Sequence, residues 1–375
     1  MAELREGTVI GNRFEIRRYV GGGGFGSVWH GFDGQLEREV AIKRLFSRSP
    51  LDTVRRSEVI DEARKVALLS HPNIVSVFDV LEYDHEPLII MEYLPGGTLQ
   101  EQLRKLSRLD KWVDPPEAFR LIDGILQGLH AAHTSDRGPI IHRDLKPLNI
   151  LFDRGGTPKI ADFGLAAIGV VEEIQTAHPG KWEHEGTFGY KSPEQLKGAR
   201  LDQRSDLFNV GLIAYLLLAC AHPFTDPRFL FNYKEMVIEP YRALPRIKVE
   251  CLPDDVEKFV LCLLSADPKD RFQTASESLA ELAHVVERYN GKLLDRVLQL
   301  YDSLTVGSSA PTSLSEAELA QGISLCKRSG FYIHGAFLYE KAGADFSGLQ
   351  LSVRAALEDN YKFCRRRAGQ EVSPA

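Results

Sequence analysis

Two short strings near the middle of the chain contain the residue types that phosphoryl transfer requires. They read His142-Arg-Asp-Leu-Lys-Pro-Leu-Asn149 and Asp162-Phe-Gly164. The carboxylate of Asp144 can orient a hydroxyl group and accept its proton, while Lys146 can neutralise charge on a phosphoryl group. Asn149 and Asp162 supply oxygen atoms, which Mg²⁺ prefers as ligands. These residues predict a site where a phosphoryl group passes to a hydroxyl in the presence of Mg²⁺.

A glycine-rich segment near the N-terminus predicts a loop that covers phosphates. Residues 14–20 and 25–29 contain bulky, β-prone side chains, and a run of glycines separates them. We therefore expect two strands joined by a glycine-rich turn. Dinucleotide-binding folds use similar glycines between a strand and a helix, but no amphipathic helix follows here. The candidate phosphate-binding residues are Gly21, Gly22, Gly23, Gly24, Phe25 and Gly26.

A lysine on the next apolar strand has a candidate acidic partner. The strand ends in Lys43, and residues 57–69 have the apolar periodicity of a helix. If that helix packs behind the strand, Glu62 can reach Lys43 and orient its ammonium toward nucleotide phosphates. Glu58 and Asp61 are the alternative acidic neighbours, and we expect them to face solvent. A lone strand lysine would otherwise be read as a solvated edge charge.

The order of these motifs resembles the eukaryotic-type protein kinases, most closely their bacterial Ser/Thr branch. The resemblance covers the chain from about residue 10 to residue 285. Besides the segments above, the shared residues are Gly186-Thr-Phe-Gly-Tyr190, Ser192-Pro-Glu194, Asp206 and Arg271. The resemblance implies an α+β, bilobal protein kinase fold with an antiparallel-sheet N-lobe over 1–94 and a mostly helical C-lobe over 95–287. Residues 288–375 would form an α-helical C-terminal extension.

The same resemblance assigns an adenine pocket, a spine and a buried ion pair. Met91 would border the pocket at the hinge between the lobes, and the backbone of Glu92 and Leu94 would hydrogen-bond to adenine. The side chains that would sandwich the base are Val28, Ala41 and Leu151. The stacked spine, anchored by Asp206, would consist of Val66, Val77, His142 and Phe163. The pair that would stabilise the peptide-binding part of the lobe is Glu194 and Arg271.

The function that the resemblance implies is that of a protein Ser/Thr kinase. It would use Mg²⁺, or Mn²⁺ in place of Mg²⁺, to transfer the γ-phosphate of ATP to hydroxyls of protein substrates, and it would autophosphorylate in its activation segment. Lys146 and Thr187 favour Ser/Thr acceptors. The alternative is a pseudokinase or scaffolding module whose C-terminal extension binds partners. The complete set of catalytic groups argues against that alternative, because such modules commonly lose one.

Thr176 is the candidate phosphosite of the activation segment. It is the only Ser or Thr between Asp162 and Thr187. Arg143 beside Asp144 is a cation that a phosphorylated loop could engage through charge-assisted hydrogen bonds. The nearby acidic residues could instead replace the phosphate; they are Glu172, Glu173, Glu183 and Glu185.

Three positions depart from the family pattern without removing a catalytic group. Ser192 stands where alanine is usual, Asn209 replaces a small residue, and the glycine loop carries an additional Gly24. The added glycine increases the entropy that the loop loses when a nucleotide orders it.

Composition excludes several other classes of protein. The chain has 375 residues, of which 43% are hydrophobic, and a formal charge of -6, so it can bury a large core but does not attract nucleic acid or anionic membranes. Its five cysteines form no CxxC pair and are expected to be reduced thiols. The N-terminal residues lack a signal-peptide pattern, and the apolar stretch 207–221 predicts a core helix too short to cross a bilayer. We expect a cytoplasmic protein with no transmembrane segment and no nucleic-acid partner.

The last part of the chain predicts further helices. Residues 291–304 are amphipathic, 305–312 are linker-like, and Ser313-x-x-Glu316 matches a capping box before another helix. Two more helices are expected around 331–343 and 347–366. The extension is either a packed helical appendage or a loosely attached arm that binds a regulatory partner. Arg365-Arg366-Arg367 could contact an acidic partner, although a solvated helix end is the simpler interpretation.

Overall fold

The structure, a computed structural model, covers most of both lobes. It describes residues 4–23, 26–45, 60–61, 63–84, 86–109, 113–163, 188–219, 223, 254–306, 316–328, 335–336, 338–339, 360–361 and 364–365. Among the predicted functional residues, several lie outside these ranges; they are Gly24, Phe25, Glu62, Thr176 and Thr187.

An antiparallel sheet forms the N-terminal lobe. Its strands are β1 (Val9–Ile10), β2 (Phe14–Gly23), β3 (Gly26–Asp33), β4 (Arg38–Leu45), β5 (Val77–Tyr83) and β6 (Glu86–Glu92). They lie in the order β1-β2-β3-β4-β6-β5. The β2–β3 hairpin confirms the expectation of two strands flanking the glycine-rich turn, and its paired part extends to Gly23 and Gly26.

The two faces of this sheet pack against different parts of the protein. Successive strand residues point to opposite faces, so Val40 and Ile42 join a buried cluster on one face. Ala41 and Lys43 pair with Met91 and Ile89, respectively, and point to the other face. Met91 and Ile89 there pack in a second apolar cluster that includes Ala161, from the segment before Asp162. Lys43 is thereby directed toward the boundary with the second lobe.

The second lobe is mostly helical. The helices described in this lobe and in the extension are α1 (Leu99–Arg108), α2 (Pro115–His133), α3 (Pro193–Leu196), α4 (Gln203–Ala219), α5 (Asp254–Leu263), α6 (Ala275–Val306) and α7 (Glu316–Arg328). A short hairpin of β7 (Ile150–Phe152) and β8 (Pro158–Ile160) follows the catalytic string. α4 is apolar on nearly every side and buried along most of its length, which confirms the predicted core helix. In the described part of the chain, no helix has the length and apolarity needed to cross a membrane.

The helix expected over residues 57–69 is described only in part. Residues 60, 61 and 63–67 are helical, and Ala63 and Val66 are buried. Both side chains were expected on the apolar face of this helix. The position of Glu62 itself is not among the described residues.

The extension begins as the continuation of a C-lobe helix. The amphipathic stretch 291–304 is helical, but it is the second half of α6, which runs unbroken across the expected boundary after residue 287. The reason is that apolar residues continue at helical spacing, with Tyr289, Leu293 and Val297 all buried. The Tyr289 ring packs edge-on against Phe119 of α2, with 5.2 Å between ring centroids.

α7 packs on this continuation. Gly322 lies so close to α6 that an added Cβ would be 2.4 Å from a methyl carbon of Val297. The buried carboxylate of Glu318 accepts hydrogen bonds from Arg296 at 2.7 Å and from the Tyr289 hydroxyl at 3.2 Å. Residues 316–328 are therefore a packed appendage, the first of the two alternatives for the extension.

Only a few residues of the two last predicted helices are described. Residues 335–336, 338–339, 360–361 and 364–365 are helical. Cys326 and Cys364 are both buried free thiols, as expected for reduced cysteines. Arg365 donates a hydrogen bond to the Tyr361 hydroxyl at 3.0 Å, and the rest of the arginine cluster lies outside the described residues.

The α6–α7 contact predicts an overpacking effect. We expect Gly322→Ala to lower the free energy of unfolding, because forcing a methyl group into a packed interface costs about 1–3 kcal/mol against a helix-propensity gain of about 1 kcal/mol. In a Val297→Ala background the methyl group has space, so the same substitution should be neutral or stabilising. Thermal and urea unfolding of the four variants measures this, and equal losses in both backgrounds would contradict the packing.

Candidate active site

A buried aspartate holds the catalytic loop. Asp206, in the first turn of α4, accepts hydrogen bonds from the backbone N–H groups of His142 and Arg143, each at 2.8 Å. The Nε2 atom of His133, the last residue of α2, lies 2.8 Å from the same carboxylate. Burial alone would raise the pKa of Asp206, but the hydrogen bonds from His133 and from the His142 backbone hold it below its usual value. The carboxylate stays ionised and fixes both helices to the loop.

His142 connects the loop to the segment that carries Asp162. Its Nδ1 atom accepts a hydrogen bond from the Asp144 N–H at 3.2 Å, and its Nε2 atom lies 2.8 Å from the carbonyl oxygen of Ala161. The ring therefore carries its proton on Nε2. It also packs against Phe163, with 4.9 Å between ring centroids. Arg143 and Asp162 both adopt positive φ, 68° and 63°, a strained conformation for residues with side chains.

Asp144 lies between two ammonium groups. Lys146 donates a hydrogen bond to Oδ2 at 2.7 Å, and Lys191 approaches Oδ1 at 3.6 Å. The Oδ1 atom is buried and has no hydrogen-bond partner among the described residues. Asn149 donates from its amide to the Asp144 carbonyl oxygen at 2.9 Å, which fixes the backbone of the loop. The predicted pair of Asp144 and Lys146 is thus brought together with a second lysine.

Lys43 pairs with Asp162 across the boundary between the lobes. Its Nζ atom lies 2.6 Å from the Oδ2 atom of Asp162. Burial would raise the pKa of Asp162, but the charge of Lys43 and its hydrogen bond keep it below the usual value. The carboxylate is therefore ionised. The predicted partner of Lys43, Glu62, lies outside the described residues, so that pairing stays a prediction.

The predicted metal ligands suit Mg²⁺ in their chemistry. Asp162 offers an ionised carboxylate, and the amide nitrogen of Asn149 is occupied by the Asp144 carbonyl, which leaves its side-chain oxygen for a ligand role. Mg²⁺ in nucleotide sites is usually bound by one or two protein oxygens together with substrate phosphates and waters. Among the described residues no cluster of three or more His, Cys, Asp or Glu side chains could hold a metal ion.

The predicted adenine pocket is apolar. Met91 and Leu94 are buried in a cluster against which Ala41 and Leu151 pack. The Glu92 N–H donates to the Ser76 carbonyl at 2.9 Å, so any contact of Glu92 with adenine would use its carbonyl oxygen. Its side chain is held by Lys159 at 3.0 Å.

The glycine-rich hairpin lies at the end of the sheet that carries Lys43. Val28 is half-buried and lies opposite Lys43 in the register of β3 and β4. At Gly26, an added Cβ would be only 2.1 Å from the Arg44 carbonyl oxygen. Glycine is required there because the two strands pair at that distance. Gly21 and Gly22 belong to the same strand as Gly23.

The predicted spine is contiguous in the described residues. Val66, Val77 and Phe163 line one cavity together with Met91. Phe163 contacts His142, whose backbone N–H is bound by Asp206. The apolar stack therefore reaches from the sheet to the buried aspartate.

A second buried ion pair joins Glu194 of α3 to Arg271. Arg271 donates from two guanidinium nitrogens to the two oxygens of Glu194, at 2.8 Å each, and Ser205 donates to Glu194 at 2.7 Å. Burial would raise the pKa of Glu194, but the hydrogen bonds from Arg271 hold it below the usual value. The pairing agrees with the sequence prediction.

Three residues near the site were not identified from the sequence. His133 binds Asp206, Gln195 donates to the Arg143 carbonyl at 2.6 Å, and Lys191 faces Asp144. Gln195 had a visible signal, because Ser192 and Gln195 form a capping box at α3. For Lys191 and His133 the signal was only their residue type, since their partners are distant in the sequence.

The protein kinases as a class have an antiparallel sheet that carries one lysine. The sheet faces a helical lobe, and a loop of that lobe presents an aspartate and a second lysine. A family model described as "Protein kinase domain" matches residues 14–282. The chain therefore belongs to the protein kinase family.

Several bacterial proteins resemble the chain. A probable serine/threonine-protein kinase of Streptomyces coelicolor is 34% identical over 285 residues, which cover 74% of this chain and 41% of the relative. Serine/threonine-protein kinase PknL of Mycobacterium tuberculosis is 32% identical over 75% of this chain and 68% of its own length. PrkC of Bacillus subtilis is 33% identical over 76% of this chain and 43% of its own length. The chain thus spans less than half the length of two of these three relatives.

The Glu194–Arg271 pair predicts a loss of stability that depends on pH. Glu194→Gln leaves a buried guanidinium without its counter-charge, which should lower the free energy of unfolding by about 3–5 kcal/mol. Because the folded-state pKa of Glu194 lies below its ordinary value of 4.5, the contribution is complete above that pH and is lost as the pH falls through the lowered pKa. Urea unfolding of both proteins at neutral and acidic pH measures the difference.

Asp202→Asn provides the control, since Asp202 pairs with Arg204 while its side chain remains 47% exposed. Its effect should not exceed about 1 kcal/mol. A Glu194→Gln effect as small as this control, or one that grows in acid, would refute the role of the buried pair.

Proposed function

We propose that the chain is an ATP-dependent protein Ser/Thr kinase that transfers the γ-phosphoryl group of ATP to hydroxyls of protein substrates. The observation that carries the proposal is the hydrogen bonding of the Asp144 carboxylate. One of its carboxylate oxygens is bound by Lys146, while the other is buried with no hydrogen-bond partner in the described part of the chain. Buried acceptors are seldom left unsatisfied, and a substrate hydroxyl would supply the missing donor.

In the proposed reaction, the hydroxyl oxygen of the substrate attacks the γ-phosphorus atom. The bond between that phosphorus and the bridging oxygen breaks, and ADP leaves with the electron pair. Asp144 orients the hydroxyl and takes its proton as the transfer proceeds, while Lys146 offsets charge on the phosphoryl oxygens. Mg²⁺, for which Mn²⁺ could substitute, would neutralise phosphate charge and be held by Asn149 and Asp162. Lys43 would position the remaining phosphates.

Acceptor class follows from the catalytic loop and from the relatives. Lys146, two residues after Asp144, is typical of kinases that act on Ser and Thr. The similar proteins in Streptomyces, Mycobacterium and Bacillus are all named serine/threonine-protein kinases. We extend their acceptor class to this chain, and we include in the proposal the autophosphorylation that the family resemblance implies. A cytoplasmic location and a regulatory partner for the extension remain predictions from the sequence.

The pseudokinase alternative receives no support from the described residues. Lys43, Asp144, Asn149 and Asp162 are all present, and their contacts keep them at one boundary between the lobes. A scaffold would not need an ionised, lysine-paired Asp162 next to an unsatisfied carboxylate oxygen. The catalytic function is therefore preferred.

Substitution of Asp144 tests the proposal. With ATP, Mg²⁺ and a Ser/Thr-containing protein, we expect transfer of the γ-phosphate by the wild type and a rate about 10²–10⁴ lower for Asp144→Asn, because a positioned base contributes that much. Asp123→Asn, on the exposed surface of α2, is the matched control and should keep the wild-type rate. Equal rates for Asp144→Asn and the wild type would reject the assigned role.

A second test concerns the activation segment. The Nε atom of Arg143 is buried and lacks a hydrogen-bond partner among the described residues, which favours an anionic ligand for this guanidinium. We propose phosphothreonine at position 176 as that ligand. Phosphopeptide mass spectrometry of the active enzyme should find Thr176 occupied, and Thr176→Ala should be less active. An active enzyme without phosphate at Thr176 would overturn the proposal.

A further inference from the structure

Lys191 is a second cation beside Asp144. It lies near Oδ1, the carboxylate oxygen that has no hydrogen-bond partner among the described residues. Its ammonium lies 3.6 Å from Oδ1, and its side chain is only 8% exposed. Lys146 occupies the other carboxylate oxygen at 2.7 Å. The Lys191 ammonium therefore lies on the side of Asp144 where the acceptor hydroxyl would be received.

The segment around Lys191 is held by α4 on one side and by the catalytic loop on the other. On one side, the amide of the buried Asn209 donates a hydrogen bond to the carbonyl oxygen of Tyr190. On the other side, Ser192 caps α3, and Gln195 of that helix donates to the Arg143 carbonyl at 2.6 Å. Because both flanks of Lys191 are held by polar groups, the backbone from which its side chain extends is fixed relative to Asp144.

Two ammonium groups on one carboxylate suit the approach of an anionic substrate. Asp144 carries one negative charge, and two ammonium groups lie at its two oxygens. A phosphoryl group that approaches a hydroxyl bound at Oδ1 would bring negative charge close to both ammonium groups. It would also be repelled by Asp144 if the carboxylate were not offset.

We propose that Lys191 is a positioning residue of the phosphoryl-transfer site. It orients Oδ1 of Asp144 toward the acceptor hydroxyl and offsets the repulsion between this carboxylate and the incoming γ-phosphoryl group. The inference rests on the proposed kinase function and deepens it, since it assigns separate roles to two lysines beside Asp144. Lys146 binds one carboxylate oxygen, and Lys191 supplies positive charge at the other.

Steady-state kinetics of Lys191 variants tests the positioning role of Lys191. Lys191→Met and Lys191→Gln remove the charge, so we expect kcat to fall by about 10–100-fold, somewhat less than the loss of a directly bonded group. The KM for ATP should stay within about twofold, because Lys43 and Asp162 lie on the nucleotide side. Lys191→Arg keeps the charge and should retain most of kcat. Lys327→Met, which removes an ammonium bonded to Asn360 at 2.8 Å, is the control.

Thermal unfolding separates this role from a structural one. If Lys191 had only a structural role, the loss of kcat in Lys191→Met would be explained by a lower melting temperature. The proposal is overturned if Lys191→Met or Lys191→Gln retains wild-type kcat, or if Lys191→Arg is as inactive as Lys191→Met at equal stability. If the wild type transfers phosphate and these variants do too, only this inference fails. If the wild type transfers none, the kinase function fails with it.

Discussion

The carboxylate of Asp206 is the constraint on which the site depends. It binds two consecutive backbone N–H groups of the catalytic loop and the imidazole of His133, and so it joins α4, α2 and the loop at one buried point. Arg143 keeps its positive φ because this anion holds it. Without such a fixed backbone, Asp144 would sample many orientations, and proximity would contribute little to the transfer. The position of the base is thus set by a residue that does not touch the reacting atoms.

From that point the two lobes contribute separate functions. The sheet brings one lysine to the boundary through strict alternation along β4, and it meets Asp162 there at 2.6 Å. The helical lobe brings Asp144 with its two lysines and holds the segment before α3 by the amide of Asn209 and by Gln195. The two departures from the family pattern that the structure describes, Ser192 and Asn209, both hold this segment. They therefore affect the position of Lys191 relative to Asp144, and neither removes a catalytic group.

Much of this arrangement could be predicted from the sequence, because motif residues lie close together along the chain and strands alternate with period two. Asp144, Lys146 and Asn149 share one loop, and the glycine hairpin follows from β-prone residues on both sides. Long-range contacts were harder to predict. Lys191 has no periodic pattern that points to Asp144, and His133 looks like any residue at a helix end. The length of α6 was missed because a glycine at position 291 is tolerated in a helix whose apolar face continues beyond it.

The continuous α6 also has a consequence for synthesis on the ribosome. Phe119 of α2 is covered by Tyr289, which is translated long after α2 and after the complete catalytic loop. The contact between these two rings can therefore form only after Tyr289 has left the exit tunnel, when the rest of the lobe has already been made. Domains generally fold as units during synthesis. The nascent lobe should accordingly acquire its final compactness late, and a chaperone that binds apolar segments has a defined interval in which to act.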